Sequence, residues 1–235
     1  MYTDMHSHVI WGVDDGAKDW EETWDMLREA VNDGISRIIC TPHITPGVYP
    51  FPQDVFDDHF EQALAFIRKE KLPLSLYKGA ELLYTDLTPR LLREGKVPTL
   101  AGSRYALIEF SPSDKADHIT DALQKVTGAG FVPIIAHMER YPAIGKIRQA
   151  EEMKTRYHAL IQINGRTLLR KAPLLRRGFQ EELFRRGLVD FIATDTHALP
   201  GRETCMTPAM EVLKDKYGTV AASAIRQRVN ILFDE

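Results

Sequence analysis

The sequence predicts an α/β fold built on a parallel sheet, and three observations lead there. The chain has 235 residues, 44% hydrophobic and 27% charged, enough to bury one large core. Single domains near this length are most often β sandwiches or α/β barrels. Short apolar runs rich in Ile, Val, Leu and Phe return at intervals of roughly thirty residues, each with the look of a buried parallel strand. Amphipathic stretches separate them, so strand and helix alternate, and right-handed βαβ crossovers follow. The sheet is either closed as a barrel or left open. Because the period lies in the secondary structure and not in a repeated motif, a barrel is favoured over a repeat array.

Seven runs qualify as strands: Tyr2 to Val9, Ile35 to Cys40, Leu74 to Lys78, Tyr105 to Phe110, Phe131 to Ala136, Ala159 to Ile163 and Val189 to Ala193. The first helix runs from Asp19 to Asp33, with Trp20, Trp24, Leu27 and Val31 on one face and Gly34 as its stop. Further helices are Asp54 to Lys69, Leu87 to Glu94, Asp117 to Thr127 and Gly178 to Arg186. No linker or low-complexity tract interrupts the series, so residues 1–235 are read as one domain.

Bulk properties exclude several functions. Thirty Lys and Arg against 33 Asp and Glu give a net charge of -3, which supports neither nucleic-acid coating nor a membrane-surface role. The opening residues show no basic segment followed by an apolar run, and nowhere do 18 uncharged apolar residues occur together. A cytoplasmic protein without membrane insertion is expected. Cys40 and Cys205 cannot form a disulfide framework for this length, which suits a reducing compartment.

The strand ends carry the chemistry. The first run ends in His6-Ser7-His8, the second in Thr41-Pro42-His43, the third in Gly79-Ala80-Glu81 and the fourth in Glu109. His137, Asn164 and Asp195-Thr196-His197 end the last three. In a parallel α/β barrel these ends open on one face, where active sites form. Alternate residues on a strand point the same way, so His6 and His8 can share one ion, as can Asp195 and His197. Imidazole and carboxylate ligands suit zinc, iron or manganese. The bland alternative is a row of exposed polar residues at strand ends, but so many carboxylates and imidazoles packed together without a cation would leave charge uncompensated. His59, His118 and His158 fall away from the strand ends and read as surface histidines, and Asn164 as a residue that closes the pocket's hydrogen bonding.

These residues resemble the polymerase-and-histidinol-phosphatase superfamily of trinuclear metal enzymes, and within it the bacterial tyrosine-protein phosphatases of capsule and exopolysaccharide loci. The resemblance runs through Asp4-Met5-His6-Ser7-His8, Gly12-Val13-Asp14-Asp15-Gly16, Thr41-Pro42-His43, Gly79-Ala80-Glu81-Leu82, Leu107-Ile108-Glu109-Phe110, Ala136-His137-Met138-Glu139-Arg140-Tyr141 and Thr194-Asp195-Thr196-His197. It implies a distorted, TIM-like barrel of seven strands holding three divalent ions, usually manganese, with iron or zinc possible. One ion would be held by His6, His8, Glu81 and Asp195, with Glu81 bridging to a second held also by Glu109 and His137. Asp15, His43 and His197 would hold a third, Asp15 being the aspartate of the pair that aligns with the family ligand. Arg140 and Arg202 match family positions that contact phosphate. The implied partner is a phosphotyrosine-bearing protein, a tyrosine autokinase controlling polysaccharide export.

Three divalent ions against four carboxylates leave a site of about +2, which attracts an anion. On that reading a metal-bridging hydroxide attacks phosphorus while Arg140 and Arg202 hold the non-bridging oxygens bidentately. A phenolate leaves readily, so a general acid is dispensable; if one acts, Asp195 or His197 is the expected donor. The loop Ile44 to Pro52 offers Tyr49 and Phe51 to flank a phenyl ring, or to pack on the rim. Charge is asymmetric: Arg140 to Arg186 holds twelve basic and four acidic residues, Asp14 to Asp33 eight acidic and two basic. Solvated helix faces explain this, and so does steering of an acidic phosphorylated tail.

Rival chemistries fare worse. A cysteine-dependent phosphatase needs an arginine six residues after its nucleophile, where Cys40 has Pro46 and Cys205 has Glu211. There is no G-x-S-x-G elbow or P-loop, and Gly128-Ala129-Gly130 precedes a strand instead of following one. A small-molecule phosphomonoesterase of the histidinol phosphate type would use the same ligands. An amidohydrolase would show a lysine after the fourth strand and a histidine after the sixth, where this chain has Glu109 and Asn164. A catalytically idle, kinase-binding module has no need of a complete ligand set.

Overall fold

A computed structural model describes residues 1–170, 174–198 and 201–234, without the side chains of 174–176. In chain order the strands are β1 (Tyr2–Ser7), β2 (Ile35–Cys40), β3 (His43–Ile44), β4 (Ser75–Lys78), β5 (Glu81–Leu83), β6 (Tyr105–Glu109), β7 (Val132–Ile135), β8 (Leu160–Asn164) and β9 (Phe191–Ala193). The helices are α1 (Trp20–Asn32), α2 (Gln53–Glu70), α3 (Thr88–Arg93), α4 (Ala116–Gly128), α5 (Ile147–Tyr157), α6 (Gly165–Leu169), α7 (Leu174–Arg185), α8 (Met206–Tyr217) and α9 (Thr219–Arg228).

Every pairing between these strands is parallel. They form a three-stranded sheet, β1-β2-β4, and a curled six-stranded sheet, β3-β5-β6-β7-β8-β9. The seven expected runs are all strands, but two extra pieces appear, β3 and β5. The cause is local: Pro42, which has no N–H, separates β3 from the second run, and Gly79-Ala80 separates β5 from the third. Gly79 is required at its step, because a Cβ there would lie 2.7 Å from Ile39 Cγ2. Hydrogen bonds still cross the interruption, from Gly79 N to Cys40 O at 2.9 Å and from Glu81 N to Pro42 O at 3.1 Å. On the far side, β1 meets the segment after β9 through Asp195 N to His6 O and His8 N to Thr196 O, both 2.9 Å.

Curling lets residues from non-adjacent strands meet. Met5, Ile39, Leu107, Ile134, Leu160 and Phe191 form one buried cluster, closed by Leu100, Val229 and Leu232. Their alternates Ile38, Ile108, Ile135, Ile161 and Ile192 pack outward in the larger core with the helices. The burial of each such side chain contributes about 1.5–3 kcal/mol.

The helices differ from expectation in two ways. In α1, capped by the Asp19 carboxylate on Glu22 N at 2.9 Å, the buried stripe is Thr23, Met26, Leu27 and Ala30, and Trp20 stays exposed. Thr23 is tolerated inside because its hydroxyl donates to Val9 O at 2.6 Å. Helices α5, α6, α8 and α9 lie beyond those the sequence predicts. Among the described residues no helix is long and apolar enough to cross a membrane.

Candidate metal centre

The C-terminal ends of the strands and the turns after them bring the expected ligands together. Three groups of donor atoms each lie within 4.8 Å of one another: His6, His8, Glu81 and Asp195; His8, Asp15, His43 and His197; and His43, Glu81 and Glu109. His137 joins them through Nε2, 2.7 Å from Glu81 Oε1 and 3.5 Å from Glu109 Oε1. His8 and His43 each belong to two groups, which the one-ion-per-residue expectation for them did not include.

The loop from His8 to Gly16 explains why both aspartates of the Gly12–Gly16 segment are present. Asp14 Oδ2 accepts from His8 Nδ1 at 2.7 Å and from His43 N at 3.0 Å, while its Oδ1 accepts from Gly16 N at 2.9 Å. Asp14 therefore orients two histidines, leaving His8 Nε2 to face the cluster. Asp15 instead points its Oδ1 to within 3.4 Å of both His43 Nε2 and His197 Nε2. Gly16 permits the tight return, since a Cβ there would sit 2.2 Å from His8 O.

Within the cluster the carboxylates and imidazoles set one another's charge. Glu81 is fully buried, which alone would raise its carboxyl, yet the His6 charge and the His137 bond hold it well below the carboxylate range. Burial and then the neighbouring Glu81 charge push Glu109 up to about 7. Burial opposes a charge on His8, but its bond to Asp14 and the carboxylate of Glu81 beside it bring it up to about 10.

The donor set fits divalent cations. Glu81 Oε2 has His6 Nε2 at 3.0 Å, His43 Nδ1 at 3.1 Å and His8 Nε2 at 3.3 Å, yet no hydrogen bond reaches this buried oxygen. His197 Nε2 is likewise buried without a hydrogen-bond partner. His6 Nε2 and His8 Nε2 stand 3.2 Å apart, close to the separation of about 3.0–3.4 Å for two ligands roughly 2.1 Å from one ion. Buried donor atoms aimed at common points, two of them without a hydrogen bond, are what a coordination site requires.

Two guanidiniums close the mouth. Asp195 turns Oδ1 to within 3.5 Å of His6 Nε2 and His197 Nδ1. Its Oδ2 accepts from Arg140 Nη2, from Arg202 Nη2 at 2.9 Å and from Asn164 Nδ2 at 2.7 Å. The arginine side chains remain 40% and 38% exposed, so both also face solvent. Arg166, unnoticed in the sequence, brackets Arg202 by donating to Gly201 O at 3.0 Å and Glu203 O at 2.7 Å.

Several expectations need correction. Burial would raise Asp195, but the His6, Arg140 and His8 charges hold it well below the carboxylate range, and burial with the His8 charge pushes His197 down to about 4. Phe51 turns inward against Phe56, ring centres 5.6 Å apart, whereas Tyr49 is 72% exposed. His59 is half-buried, stacked on Trp11 at 3.9 Å and bonded to its carbonyl at 2.8 Å. His118 and His158 are exposed, as expected. Both thiols are buried and held protonated; burial pushes Cys205 up to about 12 and Cys40 beyond it. In the basic stretch, residues 171–173 and the side chains of 174–176 lie outside the described residues.

Comparison with known proteins agrees over nearly the whole chain. The protein is 31% identical over 233 residues to the tyrosine-protein phosphatase CpsB of Streptococcus pneumoniae, covering 94% of this chain and 93% of that one. Among solved structures it superposes, with a TM-score of 0.84 and 26% identity over 99% of this chain and 95% of the other, on one from a study of YwqE from Bacillus subtilis and CpsB from Streptococcus pneumoniae, described as unique metal-dependent tyrosine phosphatases. Histidinol phosphate phosphatase from Lactococcus lactis shares the fold, at a TM-score of 0.56 and 14% identity over 92% and 94% of the two chains. A model of the family described as capsular polysaccharide synthesis, CpsB/CapC, matches residues 2–230. The chain belongs to the CpsB/CapC family of capsular polysaccharide synthesis.

Proposed function

We propose that the chain hydrolyses phosphotyrosine in a protein, its physiological substrate being a tyrosine autokinase that controls capsule or exopolysaccharide synthesis. One observation carries this reading: a buried cluster of imidazoles and carboxylates shares Asp195 with two guanidiniums, Arg140 and Arg202, at its mouth. The tyrosine phosphatase names of its relatives support it. The seven strand runs act as staves of one distorted barrel, a single cytoplasmic domain.

Three divalent cations, manganese first and iron or zinc next, would be held as the resemblance implies: by His6, His8, Glu81 and Asp195; by Glu81, Glu109 and His137; and by Asp15, His43 and His197. When bound, such cations would supply Lewis acidity, lowering the pKa of water towards about 7 and offsetting charge on phosphoryl oxygens.

The chain's own groups bind and orient. Each arginine spends Nη2 on Asp195 and keeps its other N–H groups for phosphoryl oxygens, to which a planar fork donates in pairs. The leaving phenolate departs without a proton from the protein, and where one is given Asp195 or His197 is the donor. Tyr49, exposed on the loop after His43, flanks the substrate ring, and the basic stretch from Arg140 to Arg186 steers an acidic substrate tail.

The test is a parallel assay of metal-loaded protein, with and without chelator, on an aryl phosphate, a phosphotyrosine peptide, histidinol phosphate and an N-acyl substrate. Chelator-sensitive turnover of the first two is expected. Turnover of histidinol phosphate alone would contradict the assignment.

A further inference from the structure

We infer that Gln162 is a positioning residue for the metal centre, setting His6, His137 and Asp195 together from a single side chain; this rests on the metal-dependent reading above. Along β8, Leu160 faces the apolar plug, Gln162 follows one pleat above it and Asn164 reaches the cluster. Gln162 is completely buried, an unusual place for an amide unless all its bonds are made.

The bonds admit one orientation only. The backbone N–H of His137 can only donate, and it meets Gln162 Oε1 at 2.7 Å. The amide nitrogen must then face the other way, where it donates to Asn164 Oδ1 at 2.8 Å. That fixes Asn164 in turn, so its Nδ2 donates to Asp195 Oδ2 at 2.7 Å. Gln162 Oε1 also lies 3.3 Å from His6 Nδ1. Oε1 can only accept, so this contact places a hydrogen on Nδ1 and leaves Nε2 towards Glu81 and Asp195.

The consequences reach three strands. His137 has φ 30° and Asp195 φ 52°, left-handed conformations that L residues adopt at a cost of about 1–3 kcal/mol each. Both are held from β8, His137 by its N–H on Gln162 and Asp195 by its carboxylate on Asn164. A directional chain running from His137 N–H through two amides to Asp195 thus keeps ligands of β1, β7 and β9 in register.

The test separates orientation from charge. Gln162→Glu and Asn164→Asp each add a carboxylate beside the cluster, which by simple attraction would tighten cation binding. The relay predicts the opposite. A carboxylate at 162 cannot donate to Asn164 Oδ1, and one at 164 presents an oxygen, not an N–H, to Asp195. In equilibrium dialysis of the full chain against Mn2+, with elemental analysis, both variants should bind about ten- to a hundredfold more weakly than the unmodified protein, with circular dichroism showing a folded chain. Asn164→Asp carries the test if Gln162→Glu does not fold. A folded variant that retains Mn2+ as tightly as the unmodified chain, or more tightly, overturns the inference. An unmodified chain that retains no Mn2+ overturns the metal reading and the inference with it.

Discussion

The two ends of the sheet treat buried charge in opposite ways. At the N-terminal end, Asp190 just before β9 is buried, and both its oxygens are bonded. Lys154 Nζ pairs with it, Arg228 Nε reaches Oδ1 at 2.9 Å and Ile161 N donates to Oδ2 at 2.9 Å. At the C-terminal end, Glu81 is buried as deeply, yet its Oε2 takes no hydrogen bond with three imidazole nitrogens beside it. Backbone conformation follows the same division. Lys71 and His158, before β4 and β8, are left-handed because they close helices in solvent, whereas left-handed His137 and Asp195 are buried in the cluster. Breaking up a buried ion pair is costly, so an end built for stability satisfies its charges internally. An end that leaves them facing each other is arranged for a group the chain does not supply.

This contrast is broken most severely at the cluster. Glu81→Ala and His43→Ala should each lower aryl phosphate turnover by roughly 10²–10³-fold or more, with an unchanged circular dichroism spectrum; retained turnover in both would remove the metal model. Arg140→Ala should cost about 10²-fold in kcat/KM, and Arg140→Lys should recover only part of it, because an ammonium lacks the planar fork. Steady-state kinetics on a phosphotyrosine peptide decides this, and full recovery by lysine would refute bidentate holding. At the opposite end Asp190→Asn should do the reverse. Losing its charge-assisted bonds should cost about 2 kcal/mol and lower the Tm by roughly 4–8 °C, while turnover at 25 °C stays within about twofold. A large loss of turnover there, without unfolding, would erase the distinction between the ends.

Much of this was legible in the residues, and what was not has physical reasons. Buried parallel strands announce themselves as apolar runs, so all seven appeared, and their polar last residues pointed to the site. Two-residue β3 is too short to show a period, and its separation from β2 depends on Pro42. Helix α9 buries only Ala222, so its stripe is faint, whereas α5 buries Ala150, Met153 and Tyr157 within a strongly polar segment that does not stand out as a helix. The shared anchor of Arg140 and Arg202 on Asp195 joins residues 55 and 7 positions from it, which only the fold brings together. Asp14 and Asp15 look alike in sequence and differ only in what the return at Gly16 lets each one reach. Gln162 did leave a signal, an amide inside the run Leu160-Ile161-Gln162-Ile163, where a side chain with no buried partner would not be tolerated.

The central claim is most directly tested by elemental analysis of the purified chain coupled to its aryl phosphatase activity. The account predicts bound transition ions, up to three per chain, with activity that falls as a chelator strips them and returns when Mn2+ is restored. A chain stripped of such ions that hydrolyses the ester at an undiminished rate would contradict it.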